Sequence, residues 1–306
     1  IFKEETPNEN KAIEKLIYNP KEGSVKINLF DGLFVGSGRI RQQSSCGKKE
    51  TKNFEYIEGL NDFDGITIFT DNHYDQIPRV NSKFKIAWQV ETPLLSNNQF
   101  YDMVEKYQHH LDMIFTYDEK YLRENPKKFK RSNFGGTTVL SPTMFQKSKE
   151  ICIVHSGKNT FPGHKLRKEI ITATDIPFYG RYCGEDFEKI EDVYADYKYV
   201  VVVENYKTDN YFTEKITDAI ACGCIPIYYG APNIDTIFNG DGIIQFNSIS
   251  ELITILNEIN NDADSELYNS KAKAIKENFK KVLLEFNTTE DWLFEKYMFK
   301  EFFKSE

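Results

Sequence analysis

The run Thr213-Glu214-Lys215 sets a hydroxyl, a carboxylate and an ammonium in succession at the head of the stretch Ile216 to Cys222. Threonine is a favoured N-cap and glycine a favoured residue just past a helix end, so the pattern predicts a helix over Glu214 to Cys222 between Thr213 and Gly223. The start of that helix offers unpaired N–H groups and the positive end of the helix dipole, to which Lys215 adds a full charge. A first-turn lysine opposes the dipole, and a nearby anion such as a diphosphate would remove the conflict. Glu214 suits the opposite task, because a carboxylate beside a nucleotide can accept hydrogen bonds from both ribose hydroxyls. Upstream, the apolar run Tyr199 to Val203 ends in Glu204-Asn205. Ligands of open parallel sheets bind at that end of the strands. Without a ligand, the same residues make an ordinary capped helix with charges on its wet face.

The longer run decides between these readings. Val203-Glu204-Asn205, Tyr211-Phe212-Thr213-Glu214-Lys215 and Pro226-Ile227-Tyr228-Tyr229-Gly230-Ala231-Pro232 follow one another within Tyr199 to Ile234. In order and spacing they resemble the donor-site signature of the α-1,3/4-fucosyltransferases, glycosyltransferase family 10. The resemblance continues more weakly over residues 84–235 and is lost in residues 1–80. It implies an α/β chain of GT-B type, with two facing Rossmann-like domains of mainly parallel sheet and GDP-fucose held by the C-terminal one. It also implies site roles: Lys215 on the diphosphate, Glu214 on the ribose, and Asn205 and Tyr211 on the nucleotide-sugar. The loop from His155-Ser156-Gly157-Lys158 to Leu166-Arg167 resembles the family segment in which an arginine reaches the donor phosphates, which makes Arg167 a second cation. Tyr179-Gly180-Arg181-Tyr182-Cys183-Gly184 resembles a family turn as well.

A sugar hydroxyl attacks poorly until its proton is removed, so such a transferase needs a base. The strand Phe84 to Val90 ends at Glu91-Thr92-Pro93, much as the family's strand ends in its catalytic glutamate, and proline would stop the strand there. Glu91 is the expected base. The reading that follows is inverting, metal-independent transfer of fucose from GDP-fucose to a hydroxyl of a glycan acceptor. No cofactor and no essential metal are expected. Two other readings stay open here: a related inverting transferase of another GDP- or UDP-sugar, and a catalytically silent glycan- or nucleotide-binding module on the same fold.

The elements that must position these residues are visible as short apolar stretches alternating with amphipathic ones, the pattern of β-α units. Strands are expected at 25–30, 65–70, 84–90 and 113–117, then at 151–155, 177–179, 199–204, 225–229 and 242–245. Helices are expected at 166–172, at 214–222 and at 251–260 behind Ser250. Amphipathic helices close the chain, with Ile275, Phe279, Val282, Leu283 and Phe286 on one face and a last helix over 291–303. The polar stretch Thr143 to Glu150 suggests a boundary, giving an acceptor-binding domain over 1–148 and a donor-binding domain with C-terminal helices over 149–306.

Composition bounds the rest. At 306 residues, 40% apolar and 28% charged, the chain has the size for two cores. A net charge of −8 argues against wholesale nucleic-acid binding. The basic stretch Lys120 to Arg131, with six Lys or Arg, reads as a solvated helix and loop, with weak peripheral membrane contact as the sharper alternative. Five unevenly spaced cysteines do not form a disulfide framework and fit a reducing compartment, so the chain as given reads as cytoplasmic. Its start at Ile1 leaves room for an upstream anchor or Golgi-type targeting segment.

Several patterns carry less. Asp62-Phe63-Asp64 matches a metal-binding DxD but precedes its strand, so a polar turn is expected there. Gly157-Lys158-Asn159-Thr160 lacks the earlier glycine of a P-loop, since Cys152 stands in its place. Cys222-Gly223-Cys224 has no second ligand pair for zinc. Glu204 and Glu214 lie ten apart, unlike the eight-residue offset of many retaining enzymes of the GT-B fold. The short pattern Gly36-Ser37-Gly38 is a candidate cleft loop.

Overall fold

The computed structural model describes residues 25–31, 49–132, 135–180 and 184–298. Gly36-Ser37-Gly38, Arg181-Tyr182-Cys183 and the end of the expected last helix lie outside them.

The described residues build two sheets in which every strand pairing is parallel. The first comprises β1 (Val25–Phe30), β2 (Phe54–Glu58), β3 (Asp62–Thr70), β4 (Asn81–Trp88), β5 (Met113–Thr116) and β6 (Phe129–Arg131), in the order β2-β1-β3-β4-β5-β6. The second comprises β7 (Lys149–Val154), β8 (Phe178–Tyr179), β9 (Tyr197–Val203), β10 (Ile225–Tyr229) and β11 (Ile244–Gln245), in the order β11-β10-β9-β7-β8. Counted from its own first strand, each sheet therefore reads 2-1-3-4-5, the first with one more strand. In such sheets the crevice for a ligand opens beyond the strand ends where the winding reverses, between the first and third strands. The topology alone thus marks two places, the ends of β1 and β3 and the ends of β7 and β9.

Parallel strands need crossovers, and helices supply most of them. In the first half these are α1 (Pro93–Ser96), α2 (Gln99–Tyr107) and α3 (Glu119–Glu124). In the second they are α4 (Pro162–Ala173), α5 (Ile190–Tyr194) and α6 (Glu214–Ala221), and after the last strand come α7 (Ile249–Asn261), α8 (Glu266–Ser270), α9 (Ala272–Lys281) and α10 (Thr289–Leu293). Each sheet is buried on both faces. Along β9, Val200 and Val202 join one core with Ile216, Ala219 and Ile220 of α6, while Tyr199, Val201 and Val203 join another with Ile170, Leu252 and Leu256. On β4, Ile86 and Trp88 face one way and Ala87 faces Phe100, Met103 and Val104 of α2. A strand covered on both sides reads as a continuous apolar run, as Val200 to Val203 does.

The chain does not end on the sheet that it last built. After α9 contributes Ile275, and the π-type turn Val282–Phe286 adds Val282 and Phe286, to the second half, Leu293, Phe294 and Met298 enter the core of the first sheet. Asp291 fixes this return by accepting from the backbone N–H groups of Lys52 and Asn53 at 2.9 and 3.0 Å.

Some local expectations change. α7 is capped by the Ser248 hydroxyl, which accepts from Glu251 N, rather than by Ser250. Asp62-Phe63-Asp64 is not a turn but the start of β3, where the pairing with β4 shifts register between Phe63 and Ile66. The basic stretch 120–131 is a helix, a loop and then the edge strand β6. Glu119 pairs with Arg123 and Arg131, each at 2.9 Å. β2 and β6 were not expected, because five and three residues are too few to show a periodicity. No helix among the described residues is long and apolar enough to cross a membrane.

Candidate functional site

At the winding reversal of the second sheet, Val154, Ser156, Val203 and Asn205 border a cavity of about 330 Å³, closed by α4, α5 and α6. Thr213 caps α6 as the sequence predicts, and Gly223 follows the helix with φ +74°, a conformation that glycine adopts without strain. The anion that the helix start calls for is already supplied. Glu204, fully buried at the end of β9, accepts from Thr213 N at 2.9 Å and from the Thr213 hydroxyl at 2.8 Å. The Lys215 ammonium lies 3.6 Å from Glu204 and 3.1 Å from Glu214, and donates to Thr213 Oγ1 at 2.7 Å. The conflict between a first-turn lysine and the dipole is therefore resolved inside the protein, and it does not by itself require a ligand. Burial favours neutral forms at this pair. The pair's own attraction outweighs that, holding the Glu214 carboxyl below and the Lys215 ammonium above their usual ranges. Both side chains stay charged and border the cavity.

Arg167 reaches the same cavity from α4. Its guanidinium donates to Val203 O and, at 2.8 Å, to Asn205 Oδ1, while the buried Nε has no hydrogen-bond partner among the described residues. A buried, permanently charged group with an unused N–H beside a cavity is suited to an anion. α4 can carry it there because Gly163 packs against the end of β9. A Cβ on Gly163 would lie 1.9 Å from Glu204 O. His164 also borders the cavity. Burial, with Arg167, Lys158 and Lys215 nearby, pushes its pKa down to about 4, and its Nδ1 accepts from Phe161 N at 3.2 Å. The imidazole is thus neutral with its proton on Nε2, a neutral donor at the cavity wall.

The winding reversal of the first sheet holds a smaller cavity of about 130 Å³, bordered by Asp31, Thr70, Asp71 and Glu91. Both ends of the Glu91 peptide are pinned: its N–H donates to Asp71 Oδ2 at 2.7 Å, and its carbonyl accepts from Tyr117 Oη at 3.1 Å. Burial raises the Glu91 pKa. The charges of Lys215 and Glu214, across the seam between the two halves, also act on this carboxyl, the first lowering it and the second raising it. Glu91 thus lies within electrostatic reach of the start of α6. Burial pushes Asp71 up to about 7.

Of the residues expected at the site, Arg167, Asn205, Glu214 and Lys215 border one cavity, and Glu91 borders the smaller cavity of the other half, within electrostatic reach of Lys215 and Glu214. Tyr211 stands elsewhere. Its buried ring lies in the seam, edge-on to Tyr117 with centroids 5.2 Å apart, and does not line the cavity. Glu204 was legible as a strand end but not as the brace of Thr213 and Lys215. A buried carboxylate nine residues before a threonine cap is a signal only once the loop between them is known to fold back. Asp71 left no signal, being one acid among 47 acidic residues. Among the described residues, no group of three or more His, Cys, Asp or Glu could hold a metal ion.

Residues 144–286, which contain α4, β9 and α6, match the C-terminal domain of glycosyltransferase family 10 (fucosyltransferase). The second half of the chain resembles this family. Among curated relatives, GDP-fucose protein O-fucosyltransferase 3 of Xenopus tropicalis is 31% identical over 87 residues, which are 27% of this chain and 18% of that protein. The 4-galactosyl-N-acetylglucosaminide 3-alpha-L-fucosyltransferase 9 of Rattus norvegicus is 31% identical over 145 residues, 43% of this chain and 39% of that one. The matched stretches thus span well under half the length of these relatives. A crystal structure of an alpha1,3-fucosyltransferase with GDP superposes with a TM-score of 0.53 at 15% identity, covering 89% of this chain and 95% of that one. At that identity the likeness is one of fold, the GT-B arrangement of two parallel-sheet halves.

Proposed function

We propose that this chain is a glycosyltransferase that moves fucose from GDP-fucose to an acceptor hydroxyl by single displacement with inversion. The observation that carries the reading is that each winding reversal opens a cavity, one bordered by two cations and the other by a carboxylate that feels the charge of one of them, Lys215. The cavity at β7 and β9 takes the donor. Lys215 and Arg167 hold the diphosphate, Glu214 the ribose and Asn205 the nucleotide-sugar, while Tyr211 supports this group from the seam. The cavity at β1 and β3 takes the acceptor. Glu91 removes the proton of the attacking hydroxyl as the new bond to C1 forms, and the bond from C1 to the phosphate oxygen breaks on the opposite face. Negative charge grows on the departing GDP, where two cations preorganised in a partly buried site stabilise it best. The roles need no metal. A carboxyl raised by burial is closer in basicity to the proton that it must take. The family match, and relatives whose names specify GDP-fucose, support fucose as the sugar.

A glycan hydroxyl is the acceptor proposed. A polypeptide hydroxyl is a second reading, favoured by the match to a protein O-fucosyltransferase of Danio rerio, 46% identical over 50 residues that are 16% of this chain and 10% of that protein. Glu91→Gln tests the chemistry, because it keeps shape and removes the base. Transfer measured with saturating donor and a panel of glycan and peptide acceptors is expected to fall by about 10²- to 10⁴-fold while GDP affinity is kept. Turnover within a few-fold of the unchanged protein rules Glu91 out as the base.

A further inference from the structure

The base and the donor helix belong to different halves of the chain, so something must hold their spacing. Asn210, three residues before the cap of α6, is fully buried and has φ +62°. Its amide is engaged on both sides. Within the second half, its N–H donates to Asn233 Oδ1 at 2.8 Å and its Oδ1 accepts from Asn233 Nδ2 at 3.0 Å. Toward the first half, its Nδ2 donates to Tyr117 O at 3.1 Å and to Glu119 Oε2 at 3.0 Å. Glu119 is itself oriented by Arg123 and Arg131. The Tyr117 hydroxyl in turn donates to the carbonyl of Glu91. Two hydrogen bonds in series, Asn210 to Tyr117 and Tyr117 to Glu91, therefore run from the donor loop to the backbone of the base.

We propose that Asn210, acting through Tyr117, is a positioning residue that sets the distance of Glu91 from the start of α6. The inference rests on the transferase reading for its kinetic consequence but not for its geometry. Asparagine fits this task twice over. It tolerates the left-handed backbone that a β-branched or bulky residue resists, and its amide supplies two N–H donors that diverge to two acceptors on the facing half. A misplacement of about 1 Å between reacting groups can cost on the order of 10²-fold in rate, so a bridge of this kind acts on turnover more than on binding.

Asn210→Gly keeps the left-handed conformation and removes the bridge, and Tyr117→Phe keeps the ring against Tyr211 and removes only the bond to Glu91. Spin labels at the exposed positions Asp102 and Asn257, with Cys46 and Cys183 replaced by serine, report the distance between the halves. The three described cysteines are buried. The expected result is a distance distribution broadened about twofold in Asn210→Gly and unchanged in Tyr117→Phe. The turnover number is expected to fall about tenfold in both, with the dissociation constant for GDP within twofold of the unchanged protein. An unchanged distribution in Asn210→Gly overturns the proposal, as does a loss of GDP binding that accounts for the whole loss of rate. If the unchanged protein binds no GDP, the donor reading fails, and the distance distributions alone decide the bridge.

Discussion

Buried carboxylates do the organising at the level of single residues. Glu204 satisfies the backbone and hydroxyl of Thr213 and faces Lys215, so it fixes the cap and orients the cation together. Asp71 plays the matching part in the first half, accepting from the backbone of Glu91 and from the Tyr74 hydroxyl. Its environment has a consequence for pH dependence. An acid whose pKa is about 3.8 when unfolded and about 7 when folded keeps its proton in the native state over an interval where the unfolded chain has lost it. Its contribution to stability is therefore full below pH 4, declines as pH rises through that interval and levels off above pH 7. Asp71→Asn retains an acceptor for Glu91 N and removes this linkage. Denaturant titrations at pH 4.5 and 7.5 are expected to show a decline in the unchanged protein that is smaller in Asp71→Asn, by on the order of a few kcal/mol. Equal pH dependence in the two proteins contradicts the assignment.

Among the elements, the site depends on how closely α4 approaches the end of β9, since that approach delivers Arg167 and His164 to the cavity. Gly163 makes it possible, with no room for a Cβ against Glu204 O. Gly163→Ala is expected to destabilise the protein by about 1–3 kcal/mol, the usual cost of overpacking, and to weaken GDP binding. A variant with unchanged denaturation midpoint and GDP affinity would show that α4 can shift freely. These elements differ in how far they were legible. Thr213, the helix that it caps, Gly223 and the run Val200 to Val203 announce themselves, because caps and a doubly buried strand leave local marks. β1 and β10 lie where their β-branched and aromatic residues place them, at Val25–Phe30 and Ile225–Tyr229. β2 and β6 leave no periodic mark. The register of α4 on β9 depends on one missing side chain at Gly163, and the brace from Glu204 depends on a loop closure that no local pattern encodes.

Across the whole molecule, one winding order is used twice, and each use opens a crevice at its reversal. In one of them Arg167, Asn205, Glu214 and Lys215 meet although they come from separate parts of the second half, and Glu91, in the other, feels the charges of Lys215 and Glu214. That convergence was not visible in spacing along the chain; it came from a family resemblance that covers the second half better than the first. The tail over 289–298 crosses back to the first sheet, tying the halves together through Leu293, Phe294 and Met298. Because both cations serve the leaving diphosphate in this account, nucleotide binding tests it more directly than stability does. The decisive measurement is calorimetric titration of the unchanged protein and of Lys215→Met with GDP and with UDP. GDP is expected to bind in preference to UDP, and Lys215→Met to weaken GDP by about 10- to 100-fold, the loss of one charge-assisted contact. No binding of GDP, or equal binding by the two proteins, would contradict it.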